Sequence, residues 1–183
     1  MELPRDTAAP AVRVRFGRYV ARRLKRAGFG ALAEDATRVT AAVKSSARAL
    51  EDVLELVEDA LADRDVVDDT LDTASQDGRN RLAGRGVDAM QTAPYTRIFP
   101  EGIGYYIAAP LDAQTQRYQE LRARVTEHLP PDDAVRVALL AALDQGLAGW
   151  QDAVAALVTA RANAALAAGA LDQATDAWTR QME

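Results

Sequence analysis

The sequence predicts an all-α fold, an elongated antiparallel helical bundle or coiled-coil hairpin. Apolar residues recur at steps of four and three over two long stretches, and about a fifth of the 183 residues are alanine. Alanine favours helix but buries little area, so it suits closely packed helices better than a thick globular interior. We expect two long helices and two short ones. Their expected bounds are 31–92 and 132–180 for the long helices, and 11–27 and 111–129 for the short ones.

The first predicted helix is basic and amphipathic, because seven cations and no acid occupy most positions between its apolar residues. The apolar residues are Val12, Phe16, Tyr19, Val20 and Leu24. The cations are Arg13, Arg15, Arg18, Arg22, Arg23, Lys25 and Arg26. Gly28 and Gly30 should end the helix. Residues 1–10 are expected to form a flexible tail ahead of a single domain, 11–183.

The second predicted helix has the most regular repeat, typical of the seam of a helix bundle. The seam residues are Leu32, Ala36, Val39, Val43, Ser46, Leu50, Val53, Val57 and Ala60. Beyond Ala60 the repeat weakens, but small and apolar residues still recur as far as residue 93. We therefore extend the helix to about residue 92, and expect a kink or break within 76–86.

An irregular crossover is expected over 93–110, where proline and aromatic residues concentrate. Pro100, Glu101 and Gly102 suit a tight turn. The apolar residues on either side could lie extended along the helices or pair as a very short hairpin. We expect the aromatic side chains to pack on the bundle, and we also consider them candidates for a protein contact. These residues are Tyr95, Phe99, Tyr105 and Tyr106.

The last two helices are separated by Pro130 and Pro131, since proline disfavours helical backbone in the residue before it. Pro131 with Asp132 and Asp133 then makes a favourable helix start, with proline in the first turn and acids at the positive end of the dipole. From Val135 to Trp178 one apolar stripe continues over more than forty residues. Two long helices with one stripe each pack most simply antiparallel.

Composition excludes several classes of function and indicates a compartment. Without cysteine the chain has no disulfide, thiolate nucleophile or Cys-ligated metal. No uninterrupted apolar run reaches the ~18 residues of a membrane span, and Arg22-Arg23 is not followed by the apolar segment of an export signal. We therefore expect a cytoplasmic protein with no transmembrane segment. Arginine and alanine richness is typical of a GC-rich genome, so a bacterial source is expected.

The polar side chains do not predict a catalytic, cofactor or metal site. The only histidine, His128, stands at a helix C-terminus, where a cation is favourable, and no serine lies in a nucleophile motif. A di-iron bundle would require two Glu-x-x-His motifs. The aspartates of segment 59–72 lack the glycine and distal glutamate of a calcium loop, which favours a solvated acidic face. Those at helical spacing are Asp65, Asp68, Asp69 and Asp72.

The segment 77–86 places three arginines among glycines, but it contains no phosphate-binding motif. Gly78 and Gly86, with Leu82 between them, are more simply interpreted as small contact points at which another helix approaches closely.

Charge is divided along the chain in a way that indicates a partner. Residues 1–30 carry eight bases and two acids, net +6, whereas the remainder carries 14 bases and 25 acids, net −11. The first hypothesis is a non-enzymatic structural or protein-interaction protein. Such a protein could self-associate as a dimer, because the apolar stripes of the long helices leave apolar area uncovered. The alternative is a peripheral binder of anionic surfaces, nucleic acid or membrane, through helix 11–27. That helix could instead dock on acidic segment 59–72, in its own chain or in a neighbour.

Overall fold

The computed structural model describes residues 3–5 and 7–183, and these form an all-α bundle without strands. The two long helices pack against each other, which confirms the predicted fold class. The helices are α1 (Pro10–Arg26), α2 (Gly30–Ala83), α3 (Tyr95–Ile98), α4 (Gly104–Ile107), α5 (Leu111–His128) and α6 (Ala134–Met182), with one 3₁₀ turn at Ala89–Gln91. The long helices and α5 begin and end within a few residues of their predicted bounds, except at the end of α2.

The chain divides into two compact units, to which α2 and α6 each contribute a segment. Unit 1 comprises Met1–Ala60 and Leu157–Glu183, and unit 2 comprises Leu61–Ala156. The single domain 11–183 remains a prediction. The predicted tail 1–10 includes residues 1, 2 and 6, which lie outside the described residues, and its last residue, Pro10, already belongs to α1.

In unit 1, α1 ends in a Schellman turn that leads directly into α2. Gly28 has a φ of 86°, a left-handed conformation that glycine adopts without strain. The Phe29 N–H donates to the Leu24 carbonyl at 3.0 Å and the Gly28 N–H to the Lys25 carbonyl at 3.2 Å, the pair of bonds that defines this motif. The prediction that glycine ends α1 is confirmed.

Unit 2 holds the larger apolar core of the described residues. Side chains from α2, α5, α6 and the crossover meet in one cluster of buried residues. Its most deeply buried members are Leu71, Leu82, Ile98, Tyr106, Tyr118, Leu121, Val125 and Leu143. Burial of these side chains stabilises the unit by about 25 cal/mol per Å² of apolar area.

Within unit 2, α2 and α6 run antiparallel and approach closely at glycines. A Cβ atom on Gly78 would lie 2.6 Å from Leu139, and one on Gly146 would overlap Leu71. The order of these contacts, rising along α6 and falling along α2, confirms the antiparallel arrangement. Gly78 is therefore a close contact point as predicted, but the same prediction is wrong for Gly86, which has no atom within 4 Å of a Cβ position.

The predicted helix 31–92 is too long, since α2 ends at Ala83 inside the window expected for a break. Gly84 and Gly86 follow within three residues, and glycine loses more backbone entropy on entering a helix than any other residue. The Gly84 N–H still donates to the Asn80 carbonyl at 2.9 Å, but beyond it the chain turns.

The crossover is more regular than predicted, because its hydrophobic residues form the one-turn helices α3 and α4 rather than an extended segment or a hairpin. The predicted tight turn separates them: the Gly102 N–H donates to the Phe99 carbonyl at 3.1 Å, and Gly102 has a φ of 78°. Both helices pack against α5. Tertiary packing therefore stabilises two turns that would be too short to form alone.

α6 begins two residues later than predicted, with Asp133 rather than Pro131 at its start. The Asp133 carboxylate accepts the Val135 N–H at 2.8 Å, as an N-cap residue does. It also pairs with Arg85 at 2.6 Å, and its side chain is 11% exposed. The Arg85 hydrogen bond, with the two backbone N–H bonds, holds the Asp133 pKa below its ordinary value despite partial desolvation.

α6 is also long and apolar enough, by length and composition, to cross a membrane. An 18-residue window has a mean hydropathy of 1.5, and 11% of it is buried. The expectation of no transmembrane segment rested on the absence of a long uninterrupted apolar run. The many alanines of α6 raise its mean hydropathy although polar residues interrupt the apolar sequence. One such helix is weak evidence for a span, because the core helix of a soluble protein passes the same test.

Candidate functional site

The strongest candidate site lies on α1, which unit 1 holds in place by a close contact at Gly17. A Cβ atom on Gly17 would overlap the Thr40 hydroxyl and lie 2.8 Å from Trp178 Nε1. Trp178 Nε1 donates to Thr40 Oγ1 at 3.2 Å, and Thr40 donates to the Ala36 carbonyl at 2.6 Å. Phe16 packs edge-on against Trp178 with ring centroids 5.9 Å apart. These contacts fix α1 on α2 and α6.

The buried face of α1 differs from the predicted apolar face. Its buried residues are Arg13, Gly17 and Ala21, whereas Val12 and Tyr19 are 38% and 48% exposed. Gly17 explains the difference, because the absence of a side chain there allows the backbone to approach Thr40 and Trp178. Apolar spacing alone does not detect a contact that a glycine makes.

Arg13 is not available to an anionic partner, which corrects its assignment to the predicted basic face. It is 4% exposed, its guanidinium lies 6.0 Å from the Trp178 ring centroid, and it donates to the Ala8 and Arg5 carbonyls. Arg13 therefore secures the segment preceding α1.

The other six predicted cations are exposed and define what we call the basic surface. They are Arg15, Arg18, Arg22, Arg23, Lys25 and Arg26. None of them has an ion-pair partner among residues 3–5 and 7–183. Because α1 contains no acid, nothing on this helix neutralises their charge. The basic surface therefore presents a concentrated positive potential to solvent.

A groove between α1 and α2 extends the basic surface onto the second helix. Arg15, Arg18 and Arg22 line it from α1, and Lys44 and Arg48 line it from α2. Among the described residues that line it, the only acid is Glu51, and the lining also includes small and apolar residues such as Ala11, Val14 and Ala47. Lys44 and Arg48 were not predicted as site residues, because only the packing of α1 on α2 brings them beside the α1 cations.

Apolar side chains are exposed next to these cations. Tyr19 lies on the outer face of α1, with the Arg23 guanidinium 6.0 Å from its ring centroid. Phe29 and Leu32, at the turn into α2, are 56% and 50% exposed. The surface thus combines positive charge with unburied aromatic and aliphatic groups.

The second predicted contact site, the aromatic crossover, is largely internal. Tyr95, Phe99 and Tyr106 are 7%, 3% and 0% exposed, so these three side chains offer almost no surface to a protein partner. The Tyr106 hydroxyl donates to the Ile98 carbonyl at 2.7 Å. Burial raises the Tyr106 pKa, an effect that the Arg124 guanidinium opposes. The aromatic residues of this segment instead complete the unit 2 core, as also expected.

Tyr105, the fourth aromatic candidate, is half-buried and belongs to a small polar cluster in unit 2. Its hydroxyl donates to Glu120 at 2.7 Å, and the Arg117 guanidinium lies 3.6 Å from the ring centroid. The side chain is therefore already engaged by α5, and its role in a protein contact remains a prediction.

The acidic segment is not wholly a solvated face, since two aspartates contact α5. Asp68 accepts a hydrogen bond from Gln114, and Asp72 accepts one from Tyr118. Desolvation raises the pKa of Asp68, and the neighbouring carboxylates, Asp72 first, raise it further. Desolvation also raises the pKa of Asp72, although its Tyr118 hydrogen bond lowers it. The signal available in the sequence was the equal spacing of the partners: Asp68 and Asp72 are four residues apart on α2, and Gln114 and Tyr118 are four apart on α5.

The remaining polar residues form no evident catalytic or metal arrangement in the described part of the chain. No group of three or more His, Asp or Glu residues there is placed to hold a metal ion. His128 is the last residue of α5, as predicted, and its Nε2 lies 3.9 Å from Glu127.

No protein-family model matches this chain, and no curated protein or solved structure matches it. The chemistry of the basic surface is therefore the best guide to function.

Proposed function

We propose that this protein is a non-enzymatic interaction protein that binds an anionic partner through the basic surface of α1. The observation that carries the proposal is that six cations stand exposed, without ion-pair partners in the described chain, on a helix held rigidly against its own unit. A rigid array of this kind meets an anionic partner without ordering a flexible segment first, so less conformational entropy is lost on binding.

The charge distribution also supports this proposal over docking of α1 on an acidic segment of the same chain. Among the described residues that line the groove beside α1, α2 contributes two cations and one acid, so this part of α2 adds to the positive charge rather than neutralising it. Interactions between exposed charges are screened over ~8 Å at physiological salt. The six cations therefore act mainly on a partner that touches them.

Binding measurements at low and high salt test the proposal. Immobilised heparin, a sulfated polyanion, is the first probe, and we expect retention that weakens steeply with salt. The variant Arg15→Glu/Arg18→Glu should lose retention. The matched control, Arg81→Glu/Arg97→Glu, makes the same change in net charge at exposed positions outside the basic surface and should lose little. Equal losses in both variants would show that net charge, not this surface, controls binding.

We also propose self-association, for which α6 provides a specific observation. Val158 and Leu166, in the unit 1 segment of α6, are 63% and 74% exposed, and Arg161 is the only charged residue between positions 158 and 171. A helix that is apolar on most of its circumference is usually covered. Light scattering during size exclusion should give a dimer mass that Val158→Asp/Leu166→Asp reduces to that of a monomer. An unchanged monomer mass for the unaltered protein would exclude this second proposal.

A further inference from the structure

The turn between α1 and α2 displays two large apolar side chains at a corner of unit 1. Phe29 and Leu32 are more exposed than most large hydrophobic residues of the chain, at 56% and 50%. The Schellman hydrogen bonds and the left-handed Gly28 fix the backbone beneath Phe29. Phe29 follows the left-handed residue, and a residue in this position often packs back on the last turn of the helix. Here the ring stays largely in solvent.

Cations flank this apolar corner on its α1 side. The last two turns of α1 carry four of them, Arg22, Arg23, Lys25 and Arg26, and all four are exposed. No acid occurs between Asp6 and Glu34. Exposed apolar side chains flanked by positive charge are the arrangement by which a protein surface enters the interface of an anionic bilayer, with the apolar groups among the acyl chains and the cations at the head groups.

A cavity beside the turn offers a place for a head group. It has a volume of about 400 Å³, and the charged residues that line it in the described part of the chain are Arg22, Lys25, Arg38 and the acid Glu34. Arg38 pairs with Asp35 at 2.9 Å, which leaves Arg22 and Lys25 as the cations without a partner in the described chain. A phosphate group would find two unpaired cations here.

We propose that the anionic partner is a membrane surface rich in anionic phospholipid, which unit 1 engages by inserting Phe29 and Leu32 while the flanking cations contact lipid phosphates. This inference rests on the proposed function, because it uses the same basic surface. A nucleic acid could satisfy the cations, but it offers no apolar layer for an exposed phenylalanine at the turn and an exposed leucine in the first turn of α2. A chain with net charge −5 also suits a flat surface touched at one corner better than a polyanion wrapped around it.

Vesicle sedimentation with the full chain tests the inference. The probes are vesicles of phosphatidylcholine alone and vesicles in which roughly one lipid in three is phosphatidylserine. We expect binding to the anionic vesicles only. Phe29→Ser/Leu32→Ser should weaken that binding about tenfold or more, because both apolar groups leave the interface. The control Val66→Ser/Val137→Ser removes two comparably exposed apolar side chains from unit 2 and should leave binding unchanged.

A second variant distinguishes insertion from attraction at the surface. Phe29→Trp places a fluorophore at the corner, in addition to the buried Trp150 and Trp178. Transfer of the indole into an apolar layer should shift its emission to shorter wavelength when anionic vesicles are added. Binding without that shift would overturn the inference of insertion.

The outcomes separate this inference from the proposed function. If heparin or DNA binds through Arg15 and Arg18 but anionic vesicles do not bind, the basic surface has an anionic partner that is not a membrane, and the inference fails alone. Vesicle binding that survives Phe29→Ser/Leu32→Ser also overturns it. If Arg15→Glu/Arg18→Glu leaves the binding of every probe unchanged, both proposals fail.

Discussion

Unit 1 and unit 2 are built from the same two long helices, but their interiors differ in size and chemistry. Among the described residues, unit 2 buries fifteen hydrophobic side chains in one cluster, whereas the cluster in unit 1 consists of Val39, Val43 and Trp178 with partly buried neighbours. Unit 1 also buries Arg13 and Thr40 beside Trp178. The difference arises because α5 and the crossover supply large apolar side chains, whereas α1 has glycine and arginine on its inner face.

This contrast connects stability with the candidate site. In unit 2 the third layer, α5, is amphipathic and covers the apolar seam of α2 and α6 with Tyr118, Leu121 and Val125. In unit 1 the corresponding layer is α1. It contacts Thr40 and Trp178 chiefly at Gly17, and its six exposed cations point to solvent. We infer that α5 mainly stabilises its unit, while α1 serves recognition at some cost in apolar burial.

The largest expected effect is the loss of the unit 2 core in Leu143→Asp. Leu143 is fully buried, so an unpaired carboxylate there should lower the free energy of unfolding by more than about 4 kcal/mol. Val137→Asp is the control, since Val137 lies on the same helix and is 57% exposed. Urea unfolding followed by Trp150 fluorescence in a Trp178→Phe background reports this unit. A similar loss in both variants would contradict the assignment of the core.

Trp178→Ala should be nearly as destabilising, and it should act on unit 1. We expect the free energy of unfolding to fall by about 3–5 kcal/mol, because the Trp178 side chain is 1% exposed. It packs against Phe16 of α1 and donates a hydrogen bond to Thr40 of α2. α1 should then become sensitive to trypsin at its exposed arginines. Trp150→Ala provides the comparison, since it removes an indole of similar burial from unit 2. Protection of α1 from trypsin in Trp178→Ala would show that other contacts hold this helix.

Asp133→Ala should lower the free energy of unfolding by a smaller amount, about 0.5–2 kcal/mol. The substitution removes both the N-cap hydrogen bond of α6 and the ion pair with Arg85. The Asp133 pKa is lowered in the folded protein. Its stabilisation is therefore present above the unfolded value of 3.8 and is lost as pH falls through the folded value. Thermal melts of Asp133→Ala and the unaltered protein should converge in acid. Asp132→Ala, at an exposed neighbour, is the control, and a pH-independent difference would argue against a role for the carboxylate charge.

The smallest expected effect is a gain in stability in Asp68→Asn at neutral pH. Desolvation and neighbouring carboxylates raise the Asp68 pKa, so ionisation destabilises the folded state as pH rises from 3.8 through the folded value. Asparagine removes the charge but keeps an oxygen that can accept the Gln114 hydrogen bond. The gain should disappear in acid, where Asp68 is protonated. Asp69 is exposed, so Asp69→Asn should give a smaller gain in stability. A lower melting temperature for Asp68→Asn than for the unaltered protein would refute this account.

Much of the fold was predictable because it depends on the periodicity of apolar residues and on the glycine and proline residues that end helices. The seam at Ala36, Val39 and Val43 is buried as predicted, and glycine and proline mark the ends of α1 and α5. The one-turn helices α3 and α4 were not predicted, since so short a segment has no repeat and is stabilised only by contact with α5.

The candidate site was predictable in composition but not in geometry. The run of cations without acids identified α1, and six of its seven predicted cations are exposed. The burial of Arg13 could not be foreseen, because it follows from the rotation that Gly17 permits. Lys44 and Arg48 join the surface through a helix–helix contact, and no local pattern distinguishes them from other exposed bases.

The separation of Trp178 from Thr40 has a consequence for synthesis on the ribosome. These residues lie 138 positions apart, so at about 5–20 residues per second their contact must wait roughly 7–28 s after Thr40 is made. Unit 2 is contiguous, so all of its internal contacts, including those between α2 and α6, lie within residues 61–156. We therefore expect unit 2 to fold first, while the nascent α1 waits with its cations and hydrophobic residues uncovered, open to ribosomal RNA and to chaperones.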